Sequence, residues 1–239
     1  MKRISIIFLL FAVAMMASAQ ERRVQNKPYI DLRPLHFGVL VGMNLQDIEL
    51  QNVGPQAVTD ENGVTSEQLI LADADTWNPG FSVGVLADWR LSDHFSLRLT
   101  PTMHFGAKHL TFRNMNDLDV NGLPRKQAQD LKSTYVSIPL DVKFAAPRWN
   151  NYRPYVMAGV NPMINLTGKD QDYVKLKRSD VMFEVGLGCD FYLPFFKLIP
   201  ELKFCYSLGD ALDKKHPDEL RDANKRVYAS SVNSATTKM

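Results

Sequence analysis

Several common features are scarce in this 239-residue sequence. After the first twenty residues, no apolar run approaches the length of about eighteen residues that a transmembrane helix needs. Helical periodicity is nearly absent, and the only two cysteines are Cys189 and Cys205. No Walker motif, zinc-ligand spacing or nucleophile elbow occurs. The sequence therefore predicts no cofactor, no metal and no catalytic residue.

The N-terminus has the composition of a secretory signal peptide. Lys2 and Arg3 precede a nearly continuous apolar segment, and Ala17-Ser18-Ala19 is a small-x-small cleavage site. We therefore predict a signal peptide over residues 1–19, cleaved between Ala19 and Gln20. A buried N-terminal helix is the alternative interpretation. Removal of the signal leaves as many basic residues as the 26 acidic ones, so the charge gives no reason to expect a nucleic-acid partner.

Seven stretches alternate between apolar and polar residues with a period of two, which is typical of strands. They are residues 35–45, 81–91, 95–108, 135–144, 153–166, 181–192 and 198–208. Most have about ten residues or more, the length that a tilted strand needs to cross a bilayer, whereas soluble strands average about five or six. The connections between them alternate between short and long. Outer-membrane barrels have this arrangement, with their short turns on the periplasmic side.

Two kinds of up-and-down barrel fit long alternating strands. A soluble barrel of the lipocalin kind buries its apolar face, whereas a membrane barrel turns that face to lipid and its polar face to the lumen. Glycine is frequent on the polar face, where it makes room for long side chains in a crowded interior. The glycines on this face are Gly38, Gly42, Gly84, Gly106, Gly159, Gly186 and Gly188. Together with strand length, they favour the membrane barrel.

The polar face carries both signs of charge in nearly equal numbers. A buried interior must pair its charges, because an unpaired charge costs several kcal/mol. We therefore predict a structural polar network in the lumen. Its members are Asp88, Arg90, Arg98, His104, Lys108, Asp141, Lys143, Arg153, Glu184, Asp190, Glu201 and Lys203. A solvated surface with mixed charge is the alternative.

The same alternation makes predictions for the cysteines and prolines. Cys189 falls on the apolar face and Cys205 on the polar face, so a disulfide would break the pattern and two free thiols are expected. Proline cannot donate to a strand ladder, so prolines inside the predicted strands imply bulges or local breaks. These prolines are Pro101, Pro139, Pro162 and Pro200.

Seven strands cannot close an antiparallel barrel, and an open edge is not tolerated in lipid. The C-terminal stretch KRVYASSVNSATTKM alternates poorly. Either this stretch forms an irregular eighth strand, or the chain stops before that strand. We favour the interpretation that the chain stops before it. The predicted organisation is then a signal peptide over residues 1–19, a periplasmic tether over 20–34, a barrel over 35–212, and a last outer loop with a weak or incomplete final strand over 213–239.

Other candidate sites are weak. His104 with a nearby serine suggests a barrel hydrolase that deacylates lipid, but it is predicted to point inward rather than toward lipid. Asp73 and Asp75 lie in a long acidic loop with Asp60, Glu61 and Glu67, where a cation site is less expected than solvated carboxylates. The basic run KLKR over residues 175–178 would contact anionic headgroups or a partner, or lie in a solvated loop.

Three segments carry a family resemblance. They are NKPYIDLRPLHFGVLVGMNLQDIEL (residues 26–50), YVSIPLDVKF (135–144) and RPYVMAGVNP (153–162). They resemble the PorT family of Bacteroidetes outer-membrane proteins, with a match over most of the mature chain. The C-terminus departs from the family, whose members finish with a full amphipathic strand. The resemblance implies a cell-outer-membrane protein that takes part in type IX secretion, the export of proteinases and other cargo, and it supplies no catalytic residues.

The sequence as a whole predicts an eight-stranded, antiparallel, up-and-down transmembrane β-barrel in the outer membrane. The expected function is that of a non-enzymatic component or assembly factor of type IX secretion. Its expected partners are outer-membrane lipid and other secretion-system proteins, with no nucleic acid and no small-molecule substrate. The first alternative is a generic barrel that serves as an adhesin or envelope-stability protein, and the second is a barrel-based lipid hydrolase.

Overall fold

The computed structural model describes residues 24–59, 65–76, 78–120, 122–167 and 172–239. The expected signal peptide, with its cleavage site at Ala19 and Gln20, lies outside the described residues, as do Asp60, Glu61 and the side chain of Asp75. Within the described ranges, no helix is long and apolar enough to cross a membrane.

Strands dominate the described part of the chain. They are β1 (Leu35–Leu45), β2 (Asp47–Asn52), β3 (Pro55–Thr59), β4 (Thr65–Thr76), β5 (Pro79–Arg90), β6 (Phe95–Leu99), β7 (Thr102–Leu118), β8 (Pro124–Ser137), β9 (Leu140–Ala145), β10 (Tyr152–Asn165), β11 (Ser179–Tyr192), β12 (Lys197–Leu198), β13 (Glu201–Ser207) and β14 (Val232–Lys238). The helical elements are a 3-10 helix at Ile30–Leu32, α1 (His216–Glu219) and α2 (Ala223–Ser230). The predicted all-β class is confirmed.

Within the described residues, the strands combine into eight antiparallel runs around a ring. In chain order the runs are β1 with β2, β4 with β5, β6 with β7, β8 with β9, β10 alone, β11 alone, β12 with β13, and β14 alone. Each run pairs with the next, and β14 pairs with β2 to join the last run to the first. β3 pairs only with β4, in a hairpin at the long-loop end. The predicted antiparallel up-and-down barrel is therefore present, with its eight runs divided into more strands.

Prolines account for several of these divisions. Pro101 separates β6 from β7, Pro139 separates β8 from β9, and Pro200 separates β12 from β13. Their carbonyls still accept hydrogen bonds: Pro101 O accepts from Val85 N at 3.0 Å, and Pro139 O accepts from Thr100 N at 3.3 Å. Pro162 lies within β10. The expected breaks are thus found at three of the four prolines, and the sheet stays continuous through them.

The expectation that the chain stops before a final strand is wrong. Residues 232–238 form β14, which pairs with β2 from Val232↔Asn52 to Lys238↔Asp47. Val232 and Ala235 are buried, and an irregularity between Val232 and Ser234 shifts the register. Its buried residues are Val232, Ala235 and Thr237, and the others are Asn233, Ser234, Thr236 and Lys238, so the strand lacks the outward apolar face by which the other strands are recognised. The remainder of residues 213–239 contains the short helices α1 and α2.

Two connections predicted as long loops are largely strands. Residues 52–78 contain β3 and β4, and residues 113–132 contain the ends of β7 and β8. On β7, the inward residues change from His104 and Lys108 to Leu110 and Phe112, which are fully buried. The outward residues change from Met103 and Phe105 to His109, Thr111 and Arg113. The alternation therefore continues past residue 108, but the apolar residues now face inward and the polar ones outward. This exchange is expected where a strand passes from lipid into water, because the outer face then contacts solvent.

An apolar cluster fills the long-loop end of the barrel. Its buried members are Ile48, Ile70, Ala72, Leu110, Phe112, Leu131, Val174, Leu176, Ala211, Leu212, Val232 and Ala235. Tyr173 and Tyr228 pack against it and contact the Phe112 ring, with ring centroids 5.3 and 6.0 Å away. This cluster belongs to the extended strands and the connections above them, and it closes that end of the interior.

Candidate functional site

Arg98 lies at the centre of the polar interior. It projects inward from β6 and is 1% exposed. Its guanidinium donates to Asp88 on β5, to the Tyr155 hydroxyl on β10 at 3.4 Å and to Glu201 on β13. The Tyr155 hydroxyl also donates to Glu201. One cation thus holds carboxylates from two separate runs, which is the arrangement that makes a buried charge tolerable.

A second group of charges surrounds Asp190. Lys143 Nζ on β9 donates to both carboxylate oxygens of Asp190, at 3.1 and 3.0 Å. Lys197 Nζ lies 2.8 Å from the same carboxylate, and Lys143 also lies 3.6 Å from Asp88. The Lys143 ammonium lies 3.8 Å from the centroid of the Tyr155 ring, a cation–π contact. Asp88 and Tyr155 connect this group to Arg98.

A third group lies one layer further along the lumen. Lys203 Nζ donates to Glu184 at 2.6 Å and to Asp141 at 3.4 Å. Glu184 also accepts from Asn161 Nδ2 at 2.8 Å and from the Cys205 thiol at 3.3 Å. Glu184 and Asp141 are almost fully buried, and they share the single positive charge of Lys203.

His104 and Lys108 bond to neutral groups rather than to carboxylates. His104 lies between two serines, with Nδ1 2.8 Å from Ser82 Oγ and Nε2 3.0 Å from Ser137 Oγ. Both serines are buried. Lys108 donates to the Tyr135 hydroxyl at 2.9 Å. The structure therefore brings a serine to His104, inside the lumen rather than on the exposed apolar face.

Arg90 and Arg153 lie at the short-turn end and contact the turn that joins β5 to β6. Arg90 forms an ion pair with Asp93, and Arg153 donates to the carbonyl of Asp93 and to Ala146 O at 2.8 Å. Of the twelve residues predicted to form the lumen network, these two lie at the short-turn end of the barrel. The other ten line its interior.

Sequence reasoning missed the contacts of the N-terminal segment. Asp31 accepts from the Tyr192 hydroxyl at 2.7 Å, and Asn26 Nδ2 donates to Tyr192 O at 2.9 Å. Arg148 donates to Lys27 O at 3.0 Å and covers the Tyr192 ring at 3.5 Å. We call residues 25–32 with these contacts the clasp. No local pattern signals it, because its partners are more than a hundred residues away in the chain.

The remaining candidates are the two cysteines, the acidic loop and the basic run. Cys189 and Cys205 are free thiols, as predicted. Asp73 lies in β4 opposite Thr111, and within the described residues no group of three possible metal ligands occurs. In the basic run, Leu176 is buried in the apolar cluster while Lys177 reaches Asp210 O at 2.6 Å, so this run anchors a loop.

The arrangement defines a class of protein: a β-barrel with an exposed apolar band and an interior filled by paired charges. Residues 18–213 match the family model described as outer membrane protein beta-barrel domain. This match covers most of the chain, so the chain belongs to that family. No curated protein and no solved structure matches the sequence. The protein is therefore an outer-membrane β-barrel, and its apolar band contacts outer-membrane lipid.

Proposed function

We propose that this barrel is a non-enzymatic component or assembly factor of type IX secretion, needed for the export of proteinases and similar cargo. The resemblance of residues 26–50, 135–144 and 153–162 to the PorT family supports this role. The family match itself extends only to an outer-membrane barrel domain.

The filled interior is the observation that argues for an accessory role rather than a conduit. The ion pairs around Arg98, Asp190 and Glu184 bridge the lumen from several runs. The apolar cluster closes the long-loop end. A folded cargo protein cannot pass through a lumen occupied by its own side chains, because it would have to leave buried charges unpaired.

The working surfaces are then those that face outward. They comprise the extended strands at the long-loop end, the clasp at the periplasmic mouth and the apolar wall. The clasp places residues 25–32 against the short turns at Arg148 and Phe195, where a periplasmic partner has access. We propose other secretion-system proteins as the partners, with neither nucleic acid nor a small-molecule substrate.

Clean deletion of the gene tests the proposal. We expect cargo proteinases to disappear from the medium and accumulate in the periplasm, and the intact gene to restore their export. A complementing Arg148→Gln gene should restore export less well if the clasp meets a partner. An Arg125→Gln gene, changed at an exposed ion pair on the outer hairpin, is its matched control.

The same strains separate secretion from the adhesin and envelope-stability alternatives. In the secretion role, resistance to detergent and the abundance of unrelated outer-membrane proteins stay unchanged while export fails. Normal export in the deletion strain would refute the proposal. Loss of surface adhesion or of detergent resistance without an export defect would favour the alternatives.

We further propose that the barrel has no hydrolase activity. The contacts of His104 with Ser82 and Ser137 resemble those of an activated serine, but all three side chains face the lumen and both serines are buried. Purified protein should not release fatty acid from phospholipid or lipopolysaccharide. Turnover that His104→Ala abolishes, in a variant that still folds, would overturn this proposal.

A further inference from the structure

A cavity of about 300 Å³ lies at the long-loop end of the barrel, beside the apolar cluster. It lies between the connection that precedes β11, the helices α1 and α2, and the start of β14. Its floor is apolar and buried, and it is formed by Val174, Leu212, Ala229 and Val232. Exposed residues stand at its edge, so the cavity opens to the solution outside the barrel. They are Lys214, Asp218, Ser230 and Asn233.

The side chain of His216 lies in the wall of this cavity and is only 1% exposed. Its Nε2 atom lies 2.7 Å from the carbonyl oxygen of Asp172. A carbonyl oxygen only accepts, so Nε2 carries a hydrogen and donates it. In the neutral ring, Nδ1 is then a hydrogen-bond acceptor. This atom is buried, and no group among the described residues bonds to it.

The size of the cavity indicates what supplies the missing donor. A buried acceptor without a donor is unfavourable, so a bound molecule is expected at Nδ1. A single water needs only about 10–15 Å³. The cavity is much larger, and its volume is at the lower end of the range of about 300–1,000 Å³ that small-molecule sites occupy. It therefore has room for an organic molecule with a hydrogen-bond donor directed at His216.

The charges at the cavity favour a neutral ligand. Two basic and two acidic residues line it, and they are Lys175, Lys214, Asp213 and Asp218. Lys214 also forms an ion pair with Asp210 at 3.0 Å, and Lys177 Nζ donates to the carbonyl of the same residue at 2.6 Å. These positive and negative charges balance, so a charged ligand gains no net attraction. Hydroxyl groups both donate and accept, so they suit the ammonium groups, the carboxylates and the His216 acceptor alike.

We propose that this cavity binds a neutral saccharide unit. One hydroxyl of the sugar donates to His216 Nδ1, its other hydroxyls meet the charged rim, and the C–H face of its ring covers the apolar floor. The long-loop end faces the outside of the cell, where two sources present such a unit: the polysaccharide of the cell's own surface and the free sugars of the medium. The chemistry of recognition is the same for both sources. The inference does not depend on the secretion role.

Saturation-transfer NMR on the full chain in lipid nanodiscs tests the proposal, with methyl glucoside, methyl galactoside and methyl mannoside as the probes. His216→Gln is the first variant, because the glutamine amide nitrogen can still donate to Asp172 O while no acceptor replaces Nδ1. His94→Gln is the matched control, since His94 lies at the short-turn end with Nδ1 3.0 Å from Ala145 O. We expect at least one glycoside to bind the wild-type protein and His94→Gln equally. His216→Gln should raise its Kd roughly tenfold, the equivalent of one lost hydrogen bond.

A second variant tests the floor of the cavity without removing a polar group. Ala229 is buried and lines the cavity, so Ala229→Leu occupies part of the space that the sugar ring needs. We expect this variant to lose binding of the glycoside. Heat-dependent gel mobility verifies that each variant folds. Glucuronic acid and glucosamine test the balance of charge, and both should bind more weakly than the neutral glycoside.

Three results would overturn the proposal. They are no saturation transfer to any of the three glycosides with the wild-type protein, equal affinity of the wild-type protein and both cavity variants, and tighter binding of a charged sugar than of the neutral ones. Polysaccharide released from the cell's own lipopolysaccharide then identifies the source. Displacement of the glycoside by this polysaccharide supports the proposal with the cell surface as the source. Glycoside binding without such displacement supports it with the free sugars of the medium.

Discussion

Arg98 donates two hydrogen bonds to a single carboxylate oxygen of Asp88, from Nε at 3.2 Å and from a terminal nitrogen at 2.8 Å. The two residues are direct cross-strand partners on β6 and β5. Because the same guanidinium also contacts Glu201 on β13, it links neighbouring strands to a strand across the lumen. The interior is therefore held together through side chains as well as through the sheet.

The first prediction is that Arg98→Met destabilises the barrel by about 3–5 kcal/mol, since it removes the cation that Glu201 contacts and leaves Asp88 to the Lys143 ammonium 3.6 Å away. Urea unfolding in lipid vesicles measures the loss. Arg125→Met removes an exposed ion pair with Asp117 and should change stability by about 1 kcal/mol or less. Similar effects of the two substitutions would show that the lumen ion pairs do not stabilise the fold.

The second prediction concerns the exchange of faces along β7. Phe112 is fully buried in the apolar cluster, whereas Phe105 lies on the lipid-facing side and stacks on Phe81 with centroids 4.6 Å apart. Phe112→Ala should cost about 3–5 kcal/mol, as for a large aromatic in a packed core. Phe105→Ala should cost clearly less, because lipid replaces the lost contacts. Urea unfolding in lipid vesicles measures both losses of stability. A larger loss for Phe105→Ala than for Phe112→Ala would contradict the assignment of the two faces of β7.

The third prediction concerns the clasp. Arg148→Gln removes the guanidinium that bonds to Asn26 and Lys27 and covers the Tyr192 ring. Backbone amides of residues 25–32 should then exchange with deuterium roughly tenfold faster, as expected for a loss of about 1.4 kcal/mol of local stability. Exchange in β10 and β11 should not change. Unchanged exchange at the clasp would mean that Arg148 does not hold it.

The fourth prediction is a dependence on pH at the long-loop end. Burial raises the pKa of Asp210, but the N–H groups of Ala235 and Leu212 and the Lys214 ammonium outweigh it and lower the pKa overall. A carboxyl whose pKa is depressed by folding stabilises the fold above its unfolded pKa of about 3.9 and loses this contribution as pH falls through the folded value. The wild-type protein should therefore have a higher melting temperature than the Asp210→Asn variant at neutral pH. The difference between the two melting temperatures should vanish in acid. A difference that persists in acid would assign the effect to another group.

Much of the barrel could be predicted because lipid and a crowded lumen impose a strict alternation. The bounds of β1 agree with the predicted residues 35–45. The inward positions of Arg98, Lys143 and Glu184 follow from the same alternation. Successive side chains of a strand point to opposite faces, so every second residue faces the lumen as long as the strand is not interrupted.

Other features could not be predicted, for two physical reasons. Beyond the bilayer the apolar residues turn inward, so the outer parts of β7 and β8 and the whole of β14 did not show the expected polarity. The clasp depends on Arg148, Tyr192 and Asp31, which approach one another only after the runs are assembled. Tyr155 was also missed, because a tyrosine on a polar face gives no sign that it links Arg98 to Glu201.

The exchange of faces along β7 has a consequence for the height of the molecule. Residues 109–118 of β7 continue the strand beyond Lys108, and at about 3.4 Å per residue they extend it by roughly 30 Å along its axis. β8 pairs with this segment through Asn114. β7 and β8 therefore continue beyond the lipid-facing band over an apolar cluster of their own, so the length of these strands sets how far from the lipid a partner at this end is bound.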